Sequence, residues 1–302
     1  MKKIVTLGTL REDIVVGYDF SDSMQEAEKK IDKFDKIVGG SVNNTSYYLA
    51  RKDIETQVVM CSLYYVYLVE IMRKRINCAN YQISTTSNEL IRYPVSIIGV
   101  KNNGDKQMIS YNPVVDDSLL LDLFNKESNN AELIYTSFYE VNQKNSKKLF
   151  ALFSNVIASG KNVMIDLCPL LNRIHNDEIE NILSSITVLS GNESEYEMLK
   201  RIIGLNSIRD IFTKFISIEK IYVKRGDKGA TLFWSDEQNK IHEVQVVAKL
   251  GNIIKNTTGC GDVFNAVIIE GIVNNRDLKE SLECAVNESG KIAEGGLPWI
   301  KG

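Results

Sequence analysis

The sequence has little of what several classes of catalytic site require. It contains two histidines, His175 and His242, both in polar surroundings, so a serine–histidine–aspartate triad or a histidine metal site is not expected. Five cysteines are scattered along the chain without a Cys-x-x-Cys pair, and their odd number argues against a disulfide framework or a zinc site. This use of cysteine indicates a reducing compartment.

Long apolar stretches and an excess of positive charge are also missing. The apolar run at the N-terminus is interrupted by Gly8, Arg11 and Glu12, and no stretch reaches the length of a membrane span. We therefore expect no signal peptide and no membrane partner, and a cytoplasmic protein. A net charge of -3 and a pI near 5.7 offer no basic field for nucleic acid, so a small, neutral or hydroxyl-rich ligand is expected instead.

Short β-rich runs alternate with helical patterns along the 302 residues, which is typical of parallel strands joined by crossover helices. No repeat or low-complexity linker divides the chain, so we predict one continuous α/β domain over residues 1–302. The predicted strands cover residues 3–7, 56–61, 132–137, 162–167, 187–191 and 221–224, followed by an antiparallel pair at 230–234 and 243–247. The predicted helices cover residues 42–51, 66–76, 143–159, 193–203, 207–217, 261–274 and 278–294.

Two interruptions do not fit this alternation. Residues 14–18 and 34–38 are β-like, and residues 92–100 with 107–111 form a predicted hairpin around a turn at 102–105. Together, the regions 14–38 and 92–112 could build a small second sheet that covers the binding crevice as a lid. The alternative is that these strands are edge strands of the main sheet.

The segment 256–264, Asn-Thr-Thr-Gly-Cys-Gly-Asp-Val-Phe, places two glycines and a carboxylate where a loop becomes a helix. The first amides of a helix have no internal acceptor, so Gly259, Cys260 and Gly261 can direct N–H groups at a phosphate. Asp262 follows in the first turn, where a carboxylate stays ionised and can accept a proton from a substrate hydroxyl. The simpler interpretation is a capped helix after a polar turn.

Three further motifs accompany this segment. Gly8-x-x-x-x-Asp13 follows the first strand, Gly39-Gly40 opens a helix that carries Asn44, and Asn192-x-x-Glu195 follows a later strand. In this order, the motifs resemble the ribokinase-like (PfkB) family of carbohydrate and nucleoside kinases over nearly the whole chain. The resemblance implies a three-layer α/β/α sandwich with a mostly parallel central sheet and a small β-sheet lid.

The resemblance also implies a substrate site. A carboxylate at Asp13 can accept hydrogen bonds from two adjacent hydroxyls, and the matching aspartate of the family does so. Gly39 and Gly40 let a substrate approach main-chain amides, although alone they could be a plain strand-to-helix turn. Asn44 supplies both a donor and an acceptor, and the matching asparagine contacts the sugar.

A nucleotide site is implied in the same way. In the family, the Asn192 and Glu195 pattern orders the waters of Mg²⁺ and the phosphates of ATP, with Glu195 acting through water. Without the family, it is an acid-rich helix N-terminus. Lys224, Gly226 and Gly229 match the loop that lies along ATP, with lysine where threonine is frequent.

Some positions depart from the family pattern. Asn256 replaces an aspartate that often helps to hold a monovalent cation, so a K⁺ site there is doubtful. Arg11 replaces a frequent asparagine; it could bind an acidic substrate, but we expect it to point to solvent. Tyr64, Tyr65 and Tyr67 could stack on a base or simply pack.

These residues lead to one main functional hypothesis. We expect an ATP- and Mg²⁺-dependent phosphotransferase that acts on a hydroxyl of a sugar, with Asp262 as base and the amides of Gly259, Cys260 and Gly261 as anion hole. A nucleoside kinase and a non-catalytic sugar- or nucleotide-binding protein are the alternatives. The open edge of the lid makes a homodimer through the lid possible.

Overall fold

The computed structural model describes residues 3–17, 31, 34–61, 80–86, 94–100, 106–111, 117–249, 251 and 257–295. The predicted helix 66–76 and the turn at 102–105 lie outside these ranges, as do Asn256, Tyr64, Tyr65 and Tyr67.

The described residues form one large sheet and one small sheet. Across the large, nine-stranded sheet the strands lie in the order β13 (Ile241–Val246), β12 (Ala230–Ser235), β11 (Lys220–Lys224), β10 (Val188–Asn192), β9 (Asn162–Asp166), β8 (Leu133–Ser137), β1 (Lys3–Leu7), β4 (Glu55–Cys61) and β5 (Tyr81–Thr86). Neighbours from β5 to β11 are parallel, and β12 and β13 add an antiparallel edge. The predicted mostly parallel sheet is therefore confirmed.

The small sheet contains four strands in the order β3 (Phe34–Gly39), β2 (Arg11–Val16), β6 (Val95–Val100) and β7 (Lys106–Tyr111). It is separate from the large sheet, so the alternative of extra edge strands is wrong. Its second strand begins at Arg11 rather than at Ile14, because Arg11 already pairs with Gly39. Asp13 therefore lies within a strand of the small sheet instead of in a loop after β1.

Helices connect the strands of the large sheet. They are α1 (Ser41–Arg51), α2 (Asp117–Ser128), α3 (Ser146–Ala158), α4 (Asn176–Leu183), α5 (Glu193–Ile203), α6 (Arg209–Lys214), α7 (Cys260–Val273) and α8 (Leu278–Gly295). The predicted helix at 207–217 is thus shorter than expected. None of the helices in the described part of the chain is long and apolar enough to cross a membrane.

Alternate residues of the central strands bury opposite faces of the sheet. In β1, Ile4 joins a core with α1, α7 and α8, whereas Val5 joins a core with α2 to α6. In β8, Leu133 and Tyr135 face the first core and Ile134 faces the second. Because successive strand side chains point to opposite faces, both faces need a helical layer, which gives the three-layer sandwich.

Three described elements were not predicted. Strand β5 reads Tyr-Gln-Ile-Ser-Thr-Thr and pairs, among the described strands, with β4 alone, so as an edge strand it lacks the apolar run of a buried one. Helix α2 carries an apolar run whose Leu121 and Phe124 pack into the core, and such short runs do not distinguish helix from strand. Helix α4 has only eight residues.

The carboxyl ends of the parallel strands meet at one edge of the large sheet. Asp166 ends β9, Asn192 ends β10 and Lys224 ends β11, and Asn192 lies directly opposite Lys224 in the register. In open α/β sheets, ligands bind beyond these ends. This edge is where the small sheet and the first turn of α7 also lie.

Candidate active site

Two cavities adjoin at this edge, a larger one of about 440 Å³ and a smaller one of about 250 Å³. Ser41, Tyr139 and Asp262 line both cavities, so Asp262 lies at their junction. The larger cavity also contains Asn192, Glu195, Lys224, Gly226, Gly229, Cys260 and Gly261, and the smaller one Asp13, Gly40 and Asn44. Most of the predicted nucleotide residues therefore share one cavity, and the predicted substrate residues adjoin the other.

The carboxylate of Asp262 is held by helix α1. Ser41 Oγ donates to Asp262 Oδ1 at 2.6 Å, and Asn44 Nδ2 donates to Oδ2 at 2.7 Å. Thr45 Oγ1 donates to the backbone oxygen of Asp262 at 3.1 Å. Two donors from the first turn of α1 thus fix the orientation of the carboxylate, and Thr45 holds its backbone. Ser41 and Thr45 were not predicted as site residues, although Ser41 directly follows Gly39-Gly40 in the sequence.

Burial raises the pKa of Asp262 to about 6, against the lowering effect of the hydrogen bonds from Ser41 and Asn44. At neutral pH the group is still largely ionised, yet its proton affinity is higher than that of an exposed aspartate. Such a pKa suits a general base that works near neutral pH.

Helix α7 starts beside this carboxylate. Gly259 is its N-cap in the left-handed conformation, with φ of 80°, which glycine adopts without strain. The amide of Cys260 donates to Thr257 O at 3.3 Å, so it is engaged within the turn. The amide of Val263 donates to Gly259 O at 2.9 Å, so the amides of Gly261 and Asp262 are the first-turn amides that can serve an anion at the larger cavity.

Asp13 projects from β2 toward the smaller cavity. Its Oδ1 is buried and has no hydrogen-bond partner among the described residues. A Cβ on Gly39 would lie 1.9 Å from Asp13 Oδ2, so the glycine lets the carboxylate pack directly on the main chain. Burial raises the pKa of Asp13 to about 6, although Arg11 and Ser96 lower it. A buried acceptor without a partner is expected to receive a donor from a ligand.

Arg11 does not simply point to solvent, as the sequence suggested. It lines the smaller cavity, and its Nη1 donates to Ser96 Oγ at 3.0 Å. Thr9 Oγ1 donates to Glu140 Oε2 at 2.6 Å in the same cavity. Thr9, Ser96 and Glu140 were missed, because no local motif distinguishes them from ordinary surface residues.

On the other side of the junction, Asn192 and Glu195 form a capping box at the start of α5. Asn192 Oδ1 accepts from the amide of Glu195 at 2.9 Å, and Glu195 Oε2 accepts from the amide of Asn192 at 2.8 Å. Burial and the nearby Asp166 raise the pKa of Glu195, whereas Lys224 lowers it. One carboxylate oxygen of Glu195, Oε1, is not used by the box.

The donor set of this cavity suits a hard cation that keeps most of its water. No group of three or more histidine, cysteine, aspartate or glutamate side chains that could hold a metal occurs in the part of the chain that the structure describes. Mg²⁺ is usually bound by one or two carboxylates, several waters and substrate phosphates. The carboxylate of Glu195 and the side-chain oxygen of Asn192 fit an ion held in this indirect way.

A buried polar network lies beneath α7. Ser190 Oγ donates to Asn265 Oδ1 at 2.6 Å, Asn265 Nδ2 donates to Tyr135 OH at 3.1 Å, and Thr45 Oγ1 lies 3.5 Å from the same hydroxyl. All four side chains are fully buried. The network joins β10, β8 and α1 to the helix that carries Asp262.

Removing the amide of Asn265 is expected to destabilise the fold. Asn265→Ala leaves the hydroxyls of Ser190 and Tyr135 without one partner each, and we expect a loss of about 2–3 kcal/mol in the free energy of unfolding. Urea denaturation followed by circular dichroism measures it. Asn181→Ala, at an exposed position of α4, is the control and should stay within about 0.5 kcal/mol. Equal values for both variants would contradict a structural role of the network.

The two carboxyls with raised pKa predict opposite pH dependences of activity and stability. In the roles predicted from the sequence, Asp13 and Asp262 would both act as ionised carboxylates, so kcat/KM should fall below about pH 6, by up to about a hundredfold per pH unit when the two titrate together. A folded pKa above the unfolded value of 3.8 stabilises the protein at low pH, and this contribution is lost as the pH rises through about 6. Asp13→Asn and Asp262→Asn should each flatten the pH dependence of the melting temperature, and unchanged profiles would contradict the raised pKa values.

Comparisons with known proteins identify the family and the fold. A family model described as pfkB family carbohydrate kinase matches residues 1–293. The ribokinase of Giardia lamblia superposes with a TM-score of 0.80 at 15% identity, over 99% of this chain and 96% of that one. Adenosine kinase from Schistosoma mansoni, in complex with 2-fluoroadenosine, gives a TM-score of 0.78 at 17% identity, over 96% and 94%. The nucleoside kinase of Burkholderia thailandensis, in complex with inosine, gives 0.76 at 13% identity, over 99% and 93%. No curated protein matches the sequence.

Proposed function

Because the chain belongs to the pfkB family of carbohydrate kinases, we propose that it transfers the γ-phosphoryl group of ATP to a hydroxyl of a sugar or sugar-like substrate. The observation that carries this proposal is the position of Asp262. Its carboxylate lies where the two cavities meet and is oriented by Ser41 and Asn44. A base at such a junction can take the proton of a hydroxyl in one cavity while a phosphate approaches from the other.

The smaller cavity is proposed to bind the substrate. Asp13 Oδ1 accepts a hydrogen bond from a substrate hydroxyl, which satisfies the buried oxygen that has no partner. Gly39 lets Asp13 pack on the main chain beside the cavity, and Gly40 lines the cavity itself. Asn44 Oδ1 remains as an acceptor while its Nδ2 serves Asp262. Glu140 adds a further carboxylate for hydroxyls. The small sheet covers this cavity as a lid.

The larger cavity is proposed to bind ATP. The 226–229 turn, with Gly226 and Gly229, lies along the nucleotide, and the amides at Gly259, Cys260 and Gly261 lie on the phosphate side. Of these amides, that of Cys260 must leave Thr257 to contribute.

The metal and monovalent cation are proposed on separate grounds. Glu195 and Asn192 hold Mg²⁺ through water, and the bound ion supplies neutralisation of charge on the phosphate oxygens. Asn256 retains an oxygen ligand without a charge, so we propose that K⁺ is not required.

A nucleoside is the second candidate substrate. It is favoured by structural neighbours that are nucleoside and adenosine kinases. Tyr139, which lines both cavities, offers a ring against which a base could stack. A sugar remains the first choice, because the polar groups of the smaller cavity suit hydroxyls.

The proposal is tested by measuring ADP release in the presence of different classes of acceptor. Wild-type protein with ATP and Mg²⁺ is incubated with free sugars, sugar phosphates and nucleosides, with Asp262→Asn as the control. We expect ADP release that depends on one acceptor class and is lost in the variant. If no acceptor releases ADP, yet ligands still raise the melting temperature, the chain is a binding protein and the proposal fails.

We also propose a homodimer joined through the small sheet. Ile97 and Ile109 are paired neighbours in β6 and β7 and are 40% and 60% exposed, and Tyr111 extends the same face. Exposed apolar sheet faces of this kind mark interaction surfaces. Light scattering after size exclusion should give twice the chain mass for wild type and the chain mass for Ile109→Lys; a monomeric wild type would contradict the dimer.

A further inference from the structure

Among the charged side chains at the site, Lys224 is distinguished by its position next to the start of α7. Its Nζ lies 3.6 Å from the point where a Cβ on Gly261 would be. The ammonium therefore lies beside the first turn of α7, whose amides are proposed to receive phosphate. The side chain is 16% exposed, so water screens its charge less than it would at the surface.

Asp166 holds this ammonium in place. Its Oδ1 lies 2.7 Å from Lys224 Nζ, and its side chain is 10% exposed. An ammonium has three N–H donors, and Asp166 is its only hydrogen-bond acceptor among the described residues. Two donors are thus left for oxygens of a ligand in the larger cavity.

The charge balance of the larger cavity gives this lysine a specific importance. Its described lining contains the carboxylates of Asp166, Glu195, Asp227 and Asp262, and Lys224 is the only cationic side chain in that lining. A nucleotide triphosphate adds further negative charge. Acidic side chains repel phosphate oxygens. A phosphoryl group that moves from the larger cavity toward the smaller one therefore needs a fixed cation beside its path.

We propose that Lys224 is a catalytic residue for phosphoryl transfer, in addition to lining the nucleotide site, and that Asp166 is its positioning residue. The inference rests on the proposed function. A bond forms between the substrate oxygen and the γ-phosphorus, and the bond from that phosphorus to the β–γ bridging oxygen breaks. The hydroxyl proton passes to Asp262, and ADP leaves with the electron pair. Lys224 Nζ donates a hydrogen bond to an oxygen of the phosphoryl group while that group is transferred, because its oxygens carry the negative charge.

The first test separates catalysis from binding. Lys224→Met keeps the length of the side chain and removes its charge, and we expect kcat to fall about a hundredfold or more. The Kd of ATP, measured by calorimetry without acceptor, should rise less than about tenfold, since one donor of several is lost. Lys148→Met, at an exposed position of α3 outside both cavities, is the control and should leave both values unchanged.

The second test is chemical rescue. In Lys224→Ala, added ethylammonium should restore part of the lost rate with saturation, whereas the same amine should do nothing for Asp262→Asn. Lys224→Arg should retain more activity than Lys224→Met, because arginine keeps the positive charge, although its planar guanidinium places the donors differently. Rescue and the partial activity of the arginine variant are readouts that a merely structural lysine would not produce.

The outcomes are distinguishable from those of the proposed function. If wild-type protein phosphorylates no acceptor, the proposed function itself has failed. If wild-type protein transfers phosphate and folded Lys224→Met does so within about threefold of its kcat, Lys224 is not catalytic. A loss in Lys224→Met that appears wholly in the Kd of ATP, without rescue by ethylammonium, also overturns the inference.

Discussion

Asp262→Asn should lower kcat by about 10²–10⁴-fold, the range that general base catalysis contributes. The amide has nearly the shape of the carboxylate, yet it cannot accept the proton of the substrate hydroxyl. One oxygen can still accept from Ser41, so the first turn of α7 keeps its place. Initial rates of ADP formation at saturating ATP and acceptor measure the effect.

The stability of this variant provides an internal control. Because burial raises the pKa of Asp262, ionising it at neutral pH opposes folding, and removing the charge should leave the melting temperature equal or higher. The loss of rate would then have no explanation in unfolding. Asp177→Asn, at an exposed position of α4, should leave kcat unchanged. A kcat of Asp262→Asn within threefold of wild type would show that another group is the base.

Gly40→Ala should lower the free energy of unfolding by about 3–5 kcal/mol and remove most of the activity. Gly40 has a φ of 107°, a conformation that side chains rarely adopt, and a Cβ there would lie 2.1 Å from the backbone oxygen of Thr9. The backbone around Thr9 cannot yield as a flexible side chain would. Since Gly40 is the N-cap of α1, its displacement also moves Ser41 and Asn44 away from Asp262.

A second glycine separates the two causes of this loss. Gly160 also has a positive φ, 72°, but a Cβ there would meet nothing within 4 Å. Gly160→Ala should therefore cost about 1 kcal/mol for the left-handed backbone alone and leave kcat unchanged. Chemical denaturation of both variants checks the difference. Similar losses in the two would mean that the close approach to Thr9 is unimportant.

The sequence predicts those parts of the site that are contiguous in the chain. Gly259, Gly261 and Asp262 lie within one turn, so the order loop, glycine, carboxylate, helix is enough to predict the helix start and the place of the carboxylate in its first turn. The same holds for the large sheet, whose buried parallel strands are short apolar runs between helical patterns. A feature can be predicted from the sequence when the residues that form it are neighbours in the chain.

Residues brought together by topology could not be predicted in this way. Lys224 and Asp166 are 58 positions apart and meet because β9 and β11 both lie beside β10. Arg11 was assigned to solvent, since nothing in its neighbourhood indicates that Ser96 lies across the small sheet. Strand β5 was missed because an edge strand buries little and can be polar. Their identification requires the strand order.

The central claim is that phosphate moves from ATP to a hydroxyl across the junction at Asp262. The most direct measurement follows the label of γ-labelled ATP into the acceptor found by the screen, for wild type and Asp262→Asn. The account predicts a labelled phosphomonoester of the acceptor with wild type, and at least a hundredfold less of it with the variant while ATP still binds. Label that appears only as free phosphate, or equally in both proteins, would contradict it.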